Sequence, residues 1–203
     1  GYVYYETVAG GYGGRAEKDG MDAVQTHFQN TANSPIEELE DEIPVYVRRY
    51  ELITDSEGAG RQRGGLGVRR DLEFYDHEAS FSLLTDRTRS GPWGVFGGRA
   101  ASPARFYRNP DTAAEETLAS KSTTKLDPNE VVSVQTPGGG GYGDPLERDP
   151  QAVLADVRDG KVSAAKAAEE YGVVIDDGVD TTATEAKRRE LREAAAEHGG
   201  ENR

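Results

Sequence analysis

Cysteine is absent from the 203 residues, so disulfides, thiolate metal sites and a cysteine nucleophile are all excluded. A chain without cysteine fits a cytoplasmic protein. Apolar side chains are also few: 35% of residues are hydrophobic and mean hydropathy is -0.74. That is thin for a self-sufficient core of this length, and a larger body to pack against would help. No stretch approaches the roughly 20 apolar residues of a membrane helix. Basic residues are outnumbered, 24 Lys+Arg against 37 Asp+Glu, for a net charge of -13. Such a balance disfavours nucleic acid and anionic membrane surfaces, which need basic partners. The sequence opens on Gly1-Tyr2-Val3-Tyr4-Tyr5, with no start Met, basic n-region or apolar h-region. It enters a strand-like run at once, as expected for the interior of a longer chain.

The excess of acid supports two readings: ordinary acidic solubility, or adaptation to a salty cytoplasm. Lysine is scarce and arginine supplies most of the positive charge. Acidic clusters recur at residues 37–42, Glu115-Glu116, Glu169-Glu170 and Asp176-Asp177. Like charges close together oppose the compact state. Salt screens them, because the Debye length falls from about 10 Å at 0.1 M to about 3 Å at 1 M. On the halophilic reading the melting temperature rises substantially between about 0.1 M and about 2 M KCl. A flat or falling melting curve over that range refutes the salt-adapted reading.

Three regions follow from residue patterning. Residues 1–137 are Gly-rich and then β-rich, 138–149 form a Gly-rich loop, and 150–203 are helical. Strands are expected at 2–8, 45–53, 68–75, 79–85, 104–107 and 131–135, where Val, Tyr, Ile and Phe are bounded by Gly, Pro and Asp. Residues 36–41 suit one acidic helical turn. Asp149-Pro150 predicts a helix start, with Val153, Leu154 and Val157 on one face and Gly160 as its stop. Ser163 caps a second helix, with Ala164, Ala167, Ala168 and Tyr171 inward and Gly172 closing. Thr182 and Glu185 pair as a capping box for a third, highly charged helix to about His198, solvated beyond Leu191. The fold class is therefore α+β: a mainly antiparallel β region followed by C-terminal helices.

Three stretches suggest chemistry. Gly138-Gly139-Gly140-Gly141-Tyr142-Gly143-Asp144-Pro145 is costly to order, so it implies a backbone shape that side chains would block. It reads either as a loop closely approaching a ligand or another chain, or as a flexible linker. The embedded Tyr and Pro favour the fixed loop. No Gly-Lys-Ser/Thr follows it, so it is not a P-loop. His27 lies near Asp19, Asp22, Asn30, Asn33, Glu37 and Glu40, a set that could bind a metal, polarise an amide or shuttle protons. Its spacing requires none of these, and on residue type alone the structural reading leads. His77 and His198 read as lone surface histidines. The basic run at residues 60–70 could hold a carboxylate or phosphate through forked Arg contacts, or be a hairpin of solvated arginines.

Taken in order, these stretches carry a family pattern. Glu6-Thr7, Gly10-Gly11-Tyr12-Gly13, Asp19-Gly20, His27, residues 30–37 and Glu40 resemble the hydantoinase B/5-oxoprolinase family. So do Pro44, residues 49–52, Asp55-Ser56, Gly58-Ala59-Gly60, residues 63–68 and Arg70. Residues 136–150 and 153–175, then Asp180 and Ala183-Thr184, are similar to the family's C-terminal end. The similarity is weakest at 76–125. It implies part of an ATP-dependent amidohydrolase opening a cyclic amide such as hydantoin or 5-oxoproline. Alternatives are a component of an acetone- or acetophenone-type carboxylase and a non-catalytic structural remnant. It further implies a hydantoinase A-type partner carrying the ATP chemistry. The metal-bearing N-terminal part of the B-type subunit has no counterpart in this sequence. ATP and a divalent metal are thus implied for the complete enzyme, with no cofactor or metal ligand in this chain. The resemblance also nominates His27, Asp19 and Glu37 as catalytic. Asn30, Asn33, Arg63, Gly139, Gly140 and Tyr142 are nominated as substrate-binding. Activity of the isolated chain is not expected.

Overall fold

A computed structural model describes residues 1–25 and 29–199. The order of elements is α1 (Ile36–Glu42), β1 (Val45–Leu52), β2 (Val68–Phe74), β3 (Ala79–Leu84), β4 (Arg105–Arg108), β5 (Glu116–Thr117), β6 (Lys121–Leu126) and β7 (Val131–Gln135). A 3-10 turn at Pro145–Glu147 leads into α2 (Pro150–Arg158), α3 (Ala164–Glu169) and α4 (Thr181–Gly199). Five strands form one sheet in the order β1-β2-β7-β4-β5, and β3 pairs with β6 in a second sheet. Every strand pairing is antiparallel. The architecture is α+β, with α2 to α4 after the strands, as the patterning predicts.

Alternation decides how the sheets stack. Val47, Leu72 and Val132 sit opposite one another across β1, β2 and β7, on one face. They join Val45, Phe106 and Leu126 in the first hydrophobic core, against which Ala79, Phe81 and Leu83 of β3 pack. The β3-β6 pair therefore covers this face. β6 escapes sequence patterning because Lys-Ser-Thr-Thr-Lys-Leu has one large apolar residue. Its strand identity comes from pairing with β3, for example Phe81 with Thr124. The two-residue β5 escapes it too. The strand expected at residues 2–8 does not form a ladder among the described residues; only Gly10 bridges, to Val24. Residues of strand type become a strand only when a neighbouring backbone takes up their hydrogen bonds.

The Gly-rich segments make a layer of their own. Passes near residues 10–14, 58–67, 91–99 and 138–143 run backbone against backbone. Gly58 N–H donates to Gly139 O at 2.9 Å, Gly139 N–H to Gly65 O at 2.9 Å, and Gly65 N–H to Tyr12 O at 2.8 Å. Gly14 N–H reaches Gly140 O at 2.8 Å, and Gly141 N–H reaches Arg99 O at 3.0 Å. A Cβ on Gly139 would overlap the Tyr12 carbonyl, and one on Gly140 the Trp93 carbonyl. The loop is thus fixed, as its Tyr and Pro suggested. What approaches it closely is the chain's own backbone.

Helix ends follow local rules. Asp149 accepts from Gln151 N–H at 2.9 Å, with Pro150 at the first helical position of α2. Ser163 accepts from Lys166 N–H at 3.1 Å to start α3. Gly160 and Gly172 take positive φ beyond the two helices. Val153, Val162, Ala167, Tyr171 and Val173 pack on Ala59 in a second core, which ties α2 and α3 to the glycine layer. Two local expectations need correction. Ala164 is exposed, because its face is covered only from Ala167 onward. The cap of α4 is Asp180, which accepts from Ala183 N–H at 2.9 Å, while Thr182 and Glu185 are exposed within the helix. No described helix is long and apolar enough to cross a membrane.

Candidate functional site

Two buried polar clusters stand beside the glycine layer. In the first, Arg148 holds Asp19 with both terminal nitrogens, at 2.7 and 2.8 Å. Its Nη2 also donates to Asp156 Oδ2 on α2 at 2.7 Å. Asp156 Oδ1 accepts from Arg63 Nε at 3.0 Å, and Arg63 Nη1 donates to Asp22 Oδ1 at 2.9 Å. Both arginines are only 4% exposed, so their charges depend on these carboxylates. Burial alone would raise the Asp22 carboxyl. Hydrogen bonds from Arg63 and from Leu66 N–H outweigh that and hold it below the usual range. Arg63 was expected to hold substrate, but its fork is taken up by Asp156, Asp22 and the Gly64 carbonyl. Asp19 is likewise engaged, by Arg148 and by Arg63 N–H at 2.9 Å. This geometry suits holding chain segments together.

In the second cluster, Arg70 stands on the apolar face of β2, in line with Val68 and Leu72, and is fully buried. Its Nε donates to Glu6 Oε1 at 3.0 Å. Glu6 Oε2 accepts from Tyr4 Oη at 2.7 Å and from Asn33 Nδ2 at 2.8 Å. Asn33 Oδ1 in turn accepts from Tyr50 Oη at 3.2 Å, and the Tyr50 ring lies 4.6 Å from the Arg70 guanidinium carbon. Burial, then Glu6, pushes the Tyr4 hydroxyl up to about 12. Among the described residues the Nη1 and Nη2 atoms of Arg70 are buried without a hydrogen-bond partner. Buried donors without acceptors are costly, and here the Tyr50 ring face and the Glu6 carboxylate are what the guanidinium meets.

The remaining nominated residues are dispersed. Asn30 is exposed, and Glu37 is exposed on α1. Gly139 and Gly140 are buried in the glycine layer, whose own packing accounts for their missing side chains. Tyr142 pairs its backbone with Gln62 and sets its ring 5.1 Å from Phe96. His27 lies outside the described residues. Sequence reasoning missed Arg148, Asp156 and the site potential of Arg70. The available signals were an acid one turn from Val153 on the inward side of α2, and an arginine at an apolar register of β2. Among the described residues no group of three His, Cys, Asp or Glu side chains stands together as a metal would need.

A third buried group is Glu57. Its Oε1 accepts from Tyr171 Oη at 3.2 Å and pairs with Lys166 Nζ at 3.1 Å. Burial pushes its carboxyl above the usual range, with Lys166 opposing. A raised folded-state value means that the folded chain holds this proton more tightly than the unfolded one. The contribution of Glu57 to stability is then greatest below the ordinary glutamate value of about 4.3. It declines as pH rises through the folded value. Glu57→Gln should remove that decline, so mutant and parent melting curves diverge between weakly acidic and neutral pH. Parallel curves would refute it.

The pairing pattern, the fixed glycine layer and the polar clusters define a hydantoinase B-type domain. The chain belongs to the Hydantoinase B/oxoprolinase family, whose model matches residues 1–145. It is 40% identical over 178 residues to a Pseudomonas sp. (strain NS671) protein assigned as the B-type subunit of a D-/L-hydantoinase, covering 87% of this chain and 30% of that one. It is 37% identical to the beta subunit of the Pseudomonas jessenii caprolactamase over 90% of this chain and 33% of that one. Among solved structures, the ATP-dependent caprolactamase from Pseudomonas jessenii matches with a TM-score of 0.79 at 38% identity, over 90% of this chain and 33% of that one. Nucleotide-free acetone carboxylase matches with a TM-score of 0.81 at 25% identity, over 93% of this chain and 30% of that one. The chain thus spans about a third of the length of these relatives.

Proposed function

We propose that this chain forms part of a cytoplasmic, ATP-dependent enzyme that opens a cyclic amide, working with a hydantoinase A-type partner and with the remainder of a B-type subunit. The observation that carries this reading is the buried Arg70, with both terminal nitrogens unpartnered, beside Glu6 and Asn33. A ring carbonyl gathers negative charge on oxygen as its amide bond is attacked, and aimed guanidinium donors stabilise such an oxygen. Tyr4 and Tyr50 enclose Arg70 and are themselves partly exposed, so a substrate oxygen would enter between them. In this reading Asn33 borders the site and Glu6 fixes the fork of Arg70. Asp19 and Arg63 then act as positioning residues for the segment that leads to His27. ATP supplies activation of the amide oxygen when bound. The family resemblance assigns the metal and the nucleotide to the rest of the assembly.

The test is reconstitution. The purified chain with ATP and divalent metal should release no phosphate and open neither hydantoin, 5-oxoproline nor caprolactam. Adding an A-type subunit and the N-terminal part of a B-type relative should restore ring opening. In that assembly Arg70→Lys and His27→Ala should lower turnover with little change in melting temperature. Turnover by the chain alone would overturn the composite site, and unchanged turnover in both variants would leave the domain a structural one. The likeness to acetone carboxylase favours a second reading, a carboxylase component. It would be revealed by phosphate release that depends on acetone and bicarbonate.

A further inference from the structure

The opposite face of the sheet carries a different chemistry. Arg70 and Arg69 are neighbours on β2, so their side chains point to opposite faces. On the Arg69 side, a groove of about 340 Å³ is lined by Arg48, Arg49, Arg69, Asp111 and Asn129, among others. That volume suits a small ligand. In a chain of net charge -13, three arginines at one groove are a local concentration of positive charge.

Part of that charge is already committed. Arg48 pairs with Glu73 and lies over the Tyr46 ring. Arg69 Nε donates to Asp71 at 3.0 and 3.1 Å, and its Nη2 donates to Asp111 Oδ2 at 2.7 Å. Arg49 reaches Asp111 at 3.2 Å and Asp71 at 3.8 Å as ion pairs but makes no hydrogen bond. The Nη1 of Arg69 and the Nδ2 of Asn129 donate to nothing among the described residues, and neither is a sealed atom. Accessible donors on three side chains thus converge on one opening.

Asp111 is the displaceable member. Its side chain is 53% exposed and comes from the turn after β4, in the left-handed region at φ 60. One of its carboxylate oxygens bridges Arg49 and Arg69. The walls on either side are fixed. Asn109 Nδ2 donates to Glu130 and its Oδ1 accepts from Val131 N–H, while Asn129 Oδ1 accepts from Asp76 N–H. With Asp111 in place the three arginines face four carboxylates: Glu73, Asp71, Asp111 and the more exposed Glu51, which lies 3.9 Å from Arg49. Once Asp111 swings out, the charges balance, with Arg49 left only the distant Asp71 and the exposed Glu51, and the donors of Arg49 and Arg69 that met Asp111 are unspent.

We propose that this groove binds a small phosphate-type oxyanion through Arg49, Arg69 and Asn129, and that Asp111 is a built-in stand-in which the ligand displaces. The planar fork of arginine matches tetrahedral oxyanions, which present several acceptor oxygens at once. Competition with Asp111 keeps binding weak, so the site responds to changes in phosphate concentration. The proposal does not depend on the catalytic reading, because it uses none of the residues grouped around Arg70.

The test is an NMR titration of the chain with inorganic phosphate, with acetate as a second arm and salt held constant. The expected result is saturable shifts confined to the amides near Arg49, Arg69, residues 109–112 and Asn129, stronger for phosphate than for acetate. Asp111→Asn should bind phosphate about threefold more tightly, the size expected for removing one exposed competing ion pair. Arg49→Gln, on an exposed position of the edge strand β1, should weaken binding at least as much while keeping the parent spectrum elsewhere. Shifts spread over many surface arginines, no saturation, or equal affinity in all three proteins would each overturn the proposal. Preference for acetate would replace the phosphate site with a carboxylate site and overturn the ligand assignment.

Discussion

Gly64→Ala is expected to lose more than about 4 kcal/mol of stability, most of what holds a marginally stable domain folded. The new Cβ would overlap the carbonyl oxygen of Gly139, which belongs to the central pass of the glycine layer. Neither pass can retreat. Gly64 N–H is bonded to Gly58 O at 2.9 Å, and Gly139 is bonded on both sides, to Gly65 and Gly58. Relief would require breaking several buried backbone hydrogen bonds together. The control is Gly178→Ala, where a Cβ meets nothing within 4 Å and φ is not in the left-handed region. That substitution should stay within about 0.5 kcal/mol of the parent. Chemical denaturation of the three proteins measures the difference. A Gly64→Ala chain that melts with the parent would mean that the layer is looser than its hydrogen bonding implies.

Asp156→Asn is the second large effect, at about 3–5 kcal/mol. Asp156 is the carboxylate shared by Arg63 and Arg148, both of them buried. The asparagine would place an amide donor against one guanidinium and leave a buried positive charge short of its partner. Asp159→Asn, in the residue just beyond α2, is the matched control. Its carboxylate is 60% exposed and pairs only with Lys161, so little change is expected. Urea midpoints at neutral pH report both variants. The same experiment separates two roles for Arg63. A holding role predicts that Arg63→Lys also loses stability, because an ammonium cannot reach Asp156 and Asp22 as a fork does. A substrate-binding role predicts lost turnover with an unchanged midpoint.

Local features were legible because their causes lie within a few residues. Asp149-Pro150 and Ser163 start helices by supplying an acceptor to nearby N–H groups, and Gly160 and Gly172 end them. The five longer strands expected from residue 45 onward all form, since branched and aromatic residues between turn formers need only some neighbour. Residues 2–8 show the limit of that reasoning, because strand-type side chains there met no ladder. Thr182 with Glu185 fitted the capping-box spacing equally well, yet Asp180 stood closer to where the chain actually turned.

By itself the sequence determined that cysteine chemistry was out and which family pattern the chain follows, and it favoured a fixed loop over a linker for the Gly138–Gly141 run. It could not determine what the glycines approach. Only the folded chain shows that the close neighbours are Ser56, Tyr12, Trp93 and Ala59, contributed by separate passes. The charged clusters are of the same kind. Asp19 and Arg148 are 129 residues apart, Arg63 and Asp156 are 93 apart, and Glu6 and Arg70 are 64 apart. An isolated acid or base in a sequence carries no mark of its partner, because an ion pair needs only proximity and no particular spacing. Turns and caps are fixed by backbone geometry over three or four residues. Partners across the chain are fixed by how the sheet, the glycine layer and α2 close on one another, and that closure set Arg63 between Asp22 and Asp156 and Arg70 beside Glu6.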